Sequence, residues 1–214
     1  MTRLILFDCD GTLVDSQGAI VRAMRKAFAS CALPPPDVDK VRAIIGLSLQ
    51  EGLRRLAVPD ARLAEVEQAY RAAYRREEQD LRLFPGVPRM LDRLCAEGYW
   101  LGIVTGKSRA GLLRVLDTFA MRERFLVWRT ADCCPSKPHP AMVLECMDEL
   151  GVRADETVLV GDALFDMQMA VAAGVRPVGV SYGVASGDAL KAHGALHVFD
   201  DVPALMNGLT RIVA

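Results

Sequence analysis

The tightest constraint on this fold is the run Leu4-Ile5-Leu6-Phe7, which breaks at once into Asp8-Cys9-Asp10-Gly11. Four consecutive apolar residues predict a strand buried on both faces, the pattern of a parallel sheet and not of a half-solvated hairpin. In an open parallel sheet, ligands bind beyond the carboxyl ends of the strands, which is where Asp8 and Asp10 fall. Gly11 suits a sharp turn directly after them. Two acids crowded at such an end are costly unless a cation or a proton separates their roles. A divalent metal held by oxygen ligands would meet that need. The plainer alternative is an acidic turn capping the next helix. It suits Asp15 or Ser16 as N-cap and leaves Asp8 and Asp10 unexplained.

Past this point the hydrophobic period changes. Ile20, Ala23, Met24, Ala27 and Phe28 recur at helical spacing, and Leu49, Leu53 and Leu56 share one face. A longer helix has Leu63, Val66, Tyr70 and Ala73 inward, with Arg62, Arg71, Arg75 and Glu78 outward. No strand pattern is visible from about residue 17 to 82, so an all-helical cap is expected there. Residues 1–16 and 83–214 then form the α/β core. From residue 83 onward strand and helix patterns alternate, which predicts right-handed crossovers and a parallel sheet. Strands are expected at Leu101–Val104, Phe125–Trp128, Val158–Val160 and Val178–Val180, with a terminal helix around Leu205–Ile212. The fold class is α/β, a Rossmann-like parallel sheet with helices on both faces. Arg54, Arg55, Arg71, Arg75 and Arg76 alternate with glutamates and are expected on a solvated helix face.

Three further polar residues fall where the acid pair needs them. Thr105 follows one buried strand, Lys137 lies in the loop after another, and Asp162 follows a third. Each is expected to project toward the sheet edge that carries Asp8. Phosphoryl transfer asks for this set: an in-line nucleophile and leaving group, with fixed donors and cations around the anion.

The stretch Asp8-Cys9-Asp10-Gly11-Thr12-Leu13-Val14-Asp15-Ser16 resembles the first motif of the haloacid dehalogenase superfamily in its subfamily I phosphatase form. Thr105-Gly106, Ser136-Lys137-Pro138-His139-Pro140 and Gly161-Asp162-Ala163-Leu164-Phe165-Asp166 resemble the other three. The resemblance implies that Asp8 is the nucleophile and Asp10 the general acid and base. It implies that Thr105 and the Gly106 N–H hold the phosphoryl oxygens and that Lys137 neutralises them. Mg²⁺ would be bound by Asp162, the Asp8 carboxylate and the Asp10 backbone carbonyl. Asp166, one helical turn past Asp162, would orient Lys137 or a water at the metal. For Asp10 to donate a proton first, its surroundings should disfavour its charge.

One position departs from the family pattern: Ala163 stands where Thr or Ser is common. A lost hydrogen bond there is worth about 0.5–1.5 kcal/mol, so a tuned rate is expected. Lys107 is expected at a helix start, facing solvent, with added charge near the phosphate as the alternative. His193 and His197 lack an acid partner and are not expected to form a metal pair.

The resemblance points most closely to phosphoglycolate phosphatases, with a small phosphorylated metabolite as substrate and residues Gly46 to Leu53 selecting it. An inorganic pyrophosphatase is the near alternative. A β-phosphoglucomutase-like transferase is disfavoured because Leu49, not a basic residue, follows Gly46-Leu47-Ser48. A true dehalogenase would lack the second acid, and a non-catalytic regulatory binding protein would show a broken acid pair or a lost lysine. A formal charge of −1 gives no global attraction to nucleic acid or an acidic membrane. No apolar run approaches the ~20 residues that span a bilayer, and a strand begins too early for a signal peptide. The six cysteines form no Cys-x-x-Cys pair and are expected as reduced thiols. The resulting expectation is a cytoplasmic protein, monomeric by default with a dimer as the alternative.

Overall fold

The computed structural model describes residues 2–212. In chain order, β1 (Leu4–Phe7) and β2 (Val14–Asp15) lead into α1 (Gln17–Ser30), α2 (Val38–Ala43), α3 (Leu49–Arg55) and α4 (Leu63–Glu77). The chain returns through β3 (Arg82–Leu83) to α5 (Val87–Ala96), β4 (Trp100–Thr105), α6 (Arg109–Thr118) and β5 (Val127–Thr130). It closes with α7 (Ala141–Leu150), β6 (Thr157–Gly161), α8 (Leu164–Ala172), β7 (Arg176–Val180), α9 (Gly187–Ala192), β8 (His197–Phe199) and α10 (Val202–Ile212).

Six strands form one sheet in the order β5-β4-β1-β6-β7-β8, and every pair is parallel. This is the Rossmann-like α/β architecture expected from the alternating pattern. All four residues of β1 are fully buried because both faces of the sheet are covered. Ile5 and Phe7 pack into the cluster that includes α1, α5, α6 and α10, whereas Leu4 and Leu6 pack against α7 and α8. The sheet order reverses at β1, with β4 on one side and β6 on the other, and the crevice at such a switch point is where ligands bind. Register does the rest. Phe7 stands level with Ile103 and Val160, so Asp8, Thr105 and Asp162 emerge together within two residues of that line.

Helices α1 to α4 sit between β2 and β3, which pair antiparallel as Val14↔Leu83 and Asp15↔Arg82. The insertion therefore enters and leaves through adjacent chains, and Arg82, expected to be strand-free, belongs to this short pairing. α1 packs along α4, and buried Glu77 at the end of α4 takes Arg22 Nε at 2.6 Å and Lys26 Nζ at 2.5 Å from α1.

Two strands of the six-stranded sheet differ from expectation. The one expected at Phe125–Trp128 runs Val127–Thr130, because a 3-10 turn at Arg122–Arg124 delays the chain and leaves Leu126 53% exposed. β8 was not expected at all; it is a three-residue, half-exposed edge strand whose hydrophobic signal is too short to stand out. Among the described residues, no helix is long and apolar enough to cross a membrane.

Candidate active site

Asp8 is the first residue past β1, and its N–H donates to the Val160 carbonyl at 2.9 Å, which locks it to the neighbouring strand. Lys137 Nζ lies 2.8 Å from Asp8 Oδ1 and 2.6 Å from Asp166 Oδ1, with the lysine side chain fully buried. Burial opposes the lysine's charge, but Asp166 and Asp8 together raise it above an ordinary lysine. Burial also pushes the Asp8 carboxyl up to about 7; Lys137 pulls against that rise while Asp166 and Asp10 add to it. Asp162 is driven well above the usual carboxylate range by burial and by the charges of Asp8 and Asp166. Three acids share one ammonium, and the site is short of positive charge.

Asp8, Asp162 and Asp166 each offer an oxygen within 4.8 Å of the others, a spacing that suits a cation. The carboxylates differ in what already holds them. Asp166 accepts from Lys137 at 2.6 Å and from the Ala163 N–H at 3.0 Å, so both its oxygens are engaged. Asp162 is aimed by Thr12 Oγ1 and the Val184 N–H, both at 2.9 Å. Gly11, at φ +84°, lets the chain pass so close that a Cβ there would overlap the Asp162 carboxylate. Asp8 Oδ2 has no hydrogen-bond donor, and Oδ1 has only the lysine at ion-pair distance. A buried carboxylate left in that state fits a divalent cation between Asp8 and Asp162.

Asp10 sits apart from this cluster, at the wall of a cavity of about 290 Å³ between the sheet edge and the helical insertion. Ser16 Oγ donates to its Oδ1 at 2.5 Å, and Lys107 Nζ lies 2.9 Å from its Oδ2. Both contacts correct the sequence-based expectations. Ser16 occupies the N-cap position of α1 but does not cap it, because its hydroxyl is drawn to Asp10. Lys107 does not face solvent: its side chain is 8% exposed, and its ammonium also donates to Tyr74 OH at 3.0 Å. The surroundings of Asp10 thus hold a lysine ammonium and a hydroxyl, neither of which was expected beside it.

Thr105 is buried at the end of β4, where its Oγ1 accepts the Lys107 N–H at 3.2 Å and curls the loop toward the cavity. Gly106 has no room for a side chain, since a Cβ would overlap the Gly46 and Leu47 carbonyl oxygens of the insertion. The Ser48 N–H donates to Ser136 Oγ at 2.9 Å, joining that turn to the loop that carries Lys137. Gly46 to Gln50 line the cavity together with Tyr70 and Tyr74. Arg71 and Arg75 line it too; Arg75 is exposed and Arg71 half-buried, so both keep the solvated face expected of them while bordering the cavity. Asp8 and Lys137 do not line the cavity and are each 1% exposed, closed off beyond Asp10 and Thr105.

Asp8, Lys137, Asp162 and Asp166 therefore meet in one buried cluster, while Asp10, Thr105 and Gly106 form the adjoining wall. Tyr74, Thr12 and Ser136 were not foreseen, and Lys107 was expected in solvent, its place near the phosphate being only the alternative. The one signal for Lys107 was its place two residues after the strand-end Thr105. Fold and site define a Rossmann-like α/β enzyme with an acid–lysine centre at the topological switch point.

The model of the haloacid dehalogenase-like hydrolase family matches residues 5–180, and the chain belongs to that family. It is 36% identical over 199 residues to a protein of Dickeya dadantii named "Probable phosphatase IndB", covering 90% of this chain and 86% of that one. It is 31% identical to a phosphoglycolate phosphatase of Pseudomonas putida, covering 97% and 80%, and 30% identical to a 5'-nucleotidase of Pseudomonas aeruginosa, covering 94% and 92%. Its fold superposes on the crystal structure of a hydrolase from Pseudomonas syringae with a TM-score of 0.92, 27% identity and full coverage of both chains.

Proposed function

We propose that the protein is a Mg²⁺-dependent phosphatase that hydrolyses a small phosphomonoester in two steps through Asp8. The observation that carries this is the Asp8 carboxylate, buried against Lys137 with one oxygen lacking any donor. In the first step Asp8 attacks phosphorus, the ester oxygen departs with a proton from Asp10, and an aspartyl-phosphate forms. In the second, water attacks that phosphorus, Asp10 takes its proton, and the Asp8–phosphate bond breaks. Thr105 Oγ1 and the Gly106 N–H would hold the phosphoryl oxygens, and Lys137, oriented by Asp166, would offset their charge. Mg²⁺, held by Asp8, Asp162 and the Asp10 carbonyl, would supply further positive charge to the transferring group.

The relatives' names support a phosphoric monoester hydrolase, and the phosphoglycolate phosphatase among them supports a small acidic substrate. A cavity walled by Arg71, Arg75 and Gly46 to Gln50 of the expected selecting segment would seat such a leaving group, with α1 to α4 acting as a cap that excludes bulk water. Pyrophosphate hydrolysis is the near alternative, and phosphoryl transfer between sugars is less favoured, since Leu49 and not a basic residue comes directly after Ser48. A purely regulatory role is opposed by the intact acid pair and the buried lysine. The proposal includes a cytoplasmic monomer with no nucleic-acid or membrane partner. Phosphate release from a panel of phosphometabolites, with and without Mg²⁺ and beside an Asp8→Ala control, tests it. Mg²⁺-dependent release lost in the variant is expected; release that survives the substitution would discard the mechanism.

A further inference from the structure

We propose that Lys107 and Tyr74 are positioning residues for Asp10, and that they fix its carboxyl group only when the helical insertion is seated on the sheet edge. The proposal rests on the two-step phosphatase reading and adds to it how Asp10 is aimed.

Asp10 is gripped at both oxygens, by Ser16 Oγ at 2.5 Å and by Lys107 Nζ at 2.9 Å. Lys107 is itself held. Its ammonium donates to Tyr74 OH at 3.0 Å and lies 4.7 Å from the centroid of the same ring, a cation–π distance. The loop beneath it is pinned, with the Lys107 N–H on Thr105 Oγ1 and Ser108 capping α6. Tyr74 belongs to α4 of the insertion, whereas Lys107 and Asp10 belong to loops at the sheet edge. The contacts therefore run across the seam between the two parts. If the insertion lifts away, Lys107 loses its second anchor and Asp10 loses a fixed partner.

A purely stabilising ion pair explains this poorly. Taking both charges out of water costs about as much as their attraction returns, so a buried pair is weak support for the fold. What a desolvated and fully satisfied network does supply is a single geometry. Tyr74 also stacks on Tyr70 at 5.6 Å between ring centroids, which limits where its hydroxyl can go.

The test is stopped-flow turnover of 2,4-dinitrophenyl phosphate with Mg²⁺ by the full chain. Dinitrophenolate leaves without a proton, so phosphorylation of Asp8 does not need Asp10. The second step does need it: water bonds to phosphorus, Asp10 takes the proton, and the Asp8–phosphate bond breaks. Lys107→Met is expected to give a dinitrophenolate burst followed by a steady rate about 10²-fold below the native enzyme, the scale of a misplaced general base. Tyr74→Phe keeps the ring, loses one hydrogen bond to a charged group, and should show the same pattern at about tenfold. Asp10→Asn marks the full effect.

Native steady rates in both variants would overturn the proposal. So would a burst and a steady rate that fall together with a raised KM, since Lys107 would then be a substrate ligand. Should Lys107→Met fail to fold, Tyr74→Phe decides alone, because it removes a single oxygen atom. Asp8→Ala separates the two failures: a burst from that variant sinks the phosphatase reading itself. Its silence beside native-like Lys107→Met and Tyr74→Phe sinks only the positioning role.

Discussion

The acid–lysine cluster and the cavity wall facing it are built by opposite means. Behind the sheet edge, Asp8, Lys137, Asp162 and Asp166 are each at most 1% exposed, and each is tied to a backbone group or to another member of the cluster. Across the cavity, Arg71 and Arg75 project from a helix surface, and Arg71 is steadied by Glu67 one turn earlier at 2.6 Å. The first region tolerates little displacement, because every group in it neutralises or aims another. The second can change side chains without disturbing the sheet. Fixed chemistry beside an adjustable wall suits one reaction applied to different leaving groups.

Substitutions should grade along that divide. Asp8→Asn removes the proposed nucleophile and should cut phosphate release by at least about 10⁴-fold. It should also leave the melting temperature unchanged or higher, because one of three crowded acids becomes neutral; a large drop in melting temperature would mean that the ionised carboxylate stabilises the fold. Lys137→Met strands two buried carboxylates and should destabilise by about 3–5 kcal/mol in denaturant titration, besides losing about 10²–10³-fold in kcat. Wild-type stability in that variant would contradict the buried geometry. Gly106→Ala tests the seam. Its Cβ meets carbonyl groups of the insertion and not of the sheet, so kcat/KM should fall about 10²-fold, with the melting temperature held to within a few degrees. Arg75→Ala, on the adjustable side, should raise KM about fivefold for anionic leaving groups such as glycolate and less for neutral ones, with kcat nearly constant. A kcat loss as large as that of Gly106→Ala would erase the distinction between the two regions.

What the sequence disclosed follows the same line. The core residues were legible because each announces itself locally: an apolar run sets a strand, and the polar residue at its end inherits a direction from the sheet. Asp8, Thr105 and Asp162 needed no further information. The wall was not legible, because helical periodicity says which face is polar and not what lies opposite it. Arg71 and Arg75 are solvated as expected, but nothing local told that they also border the cavity. Lys107 was misplaced for a related reason. Water is the default partner of a lysine, and its real partners, Asp10 and Tyr74, are remote in sequence and converge only when α4 covers the loop after β4. Ser16 shows a local rule outbid, its capping hydroxyl taken by a carboxylate. β8 was lost because three half-exposed edge residues carry almost no periodic signal.

The two short strands that bracket the insertion have a consequence for how such a chain can diversify. Because Val14–Asp15 and Arg82–Leu83 lie side by side, everything between them hangs from a single doorway. A module hinged there can rock as one piece, and it can be lengthened, shortened or traded for another without rethreading the sheet. The catalytic floor would be inherited intact while the ceiling is replaced.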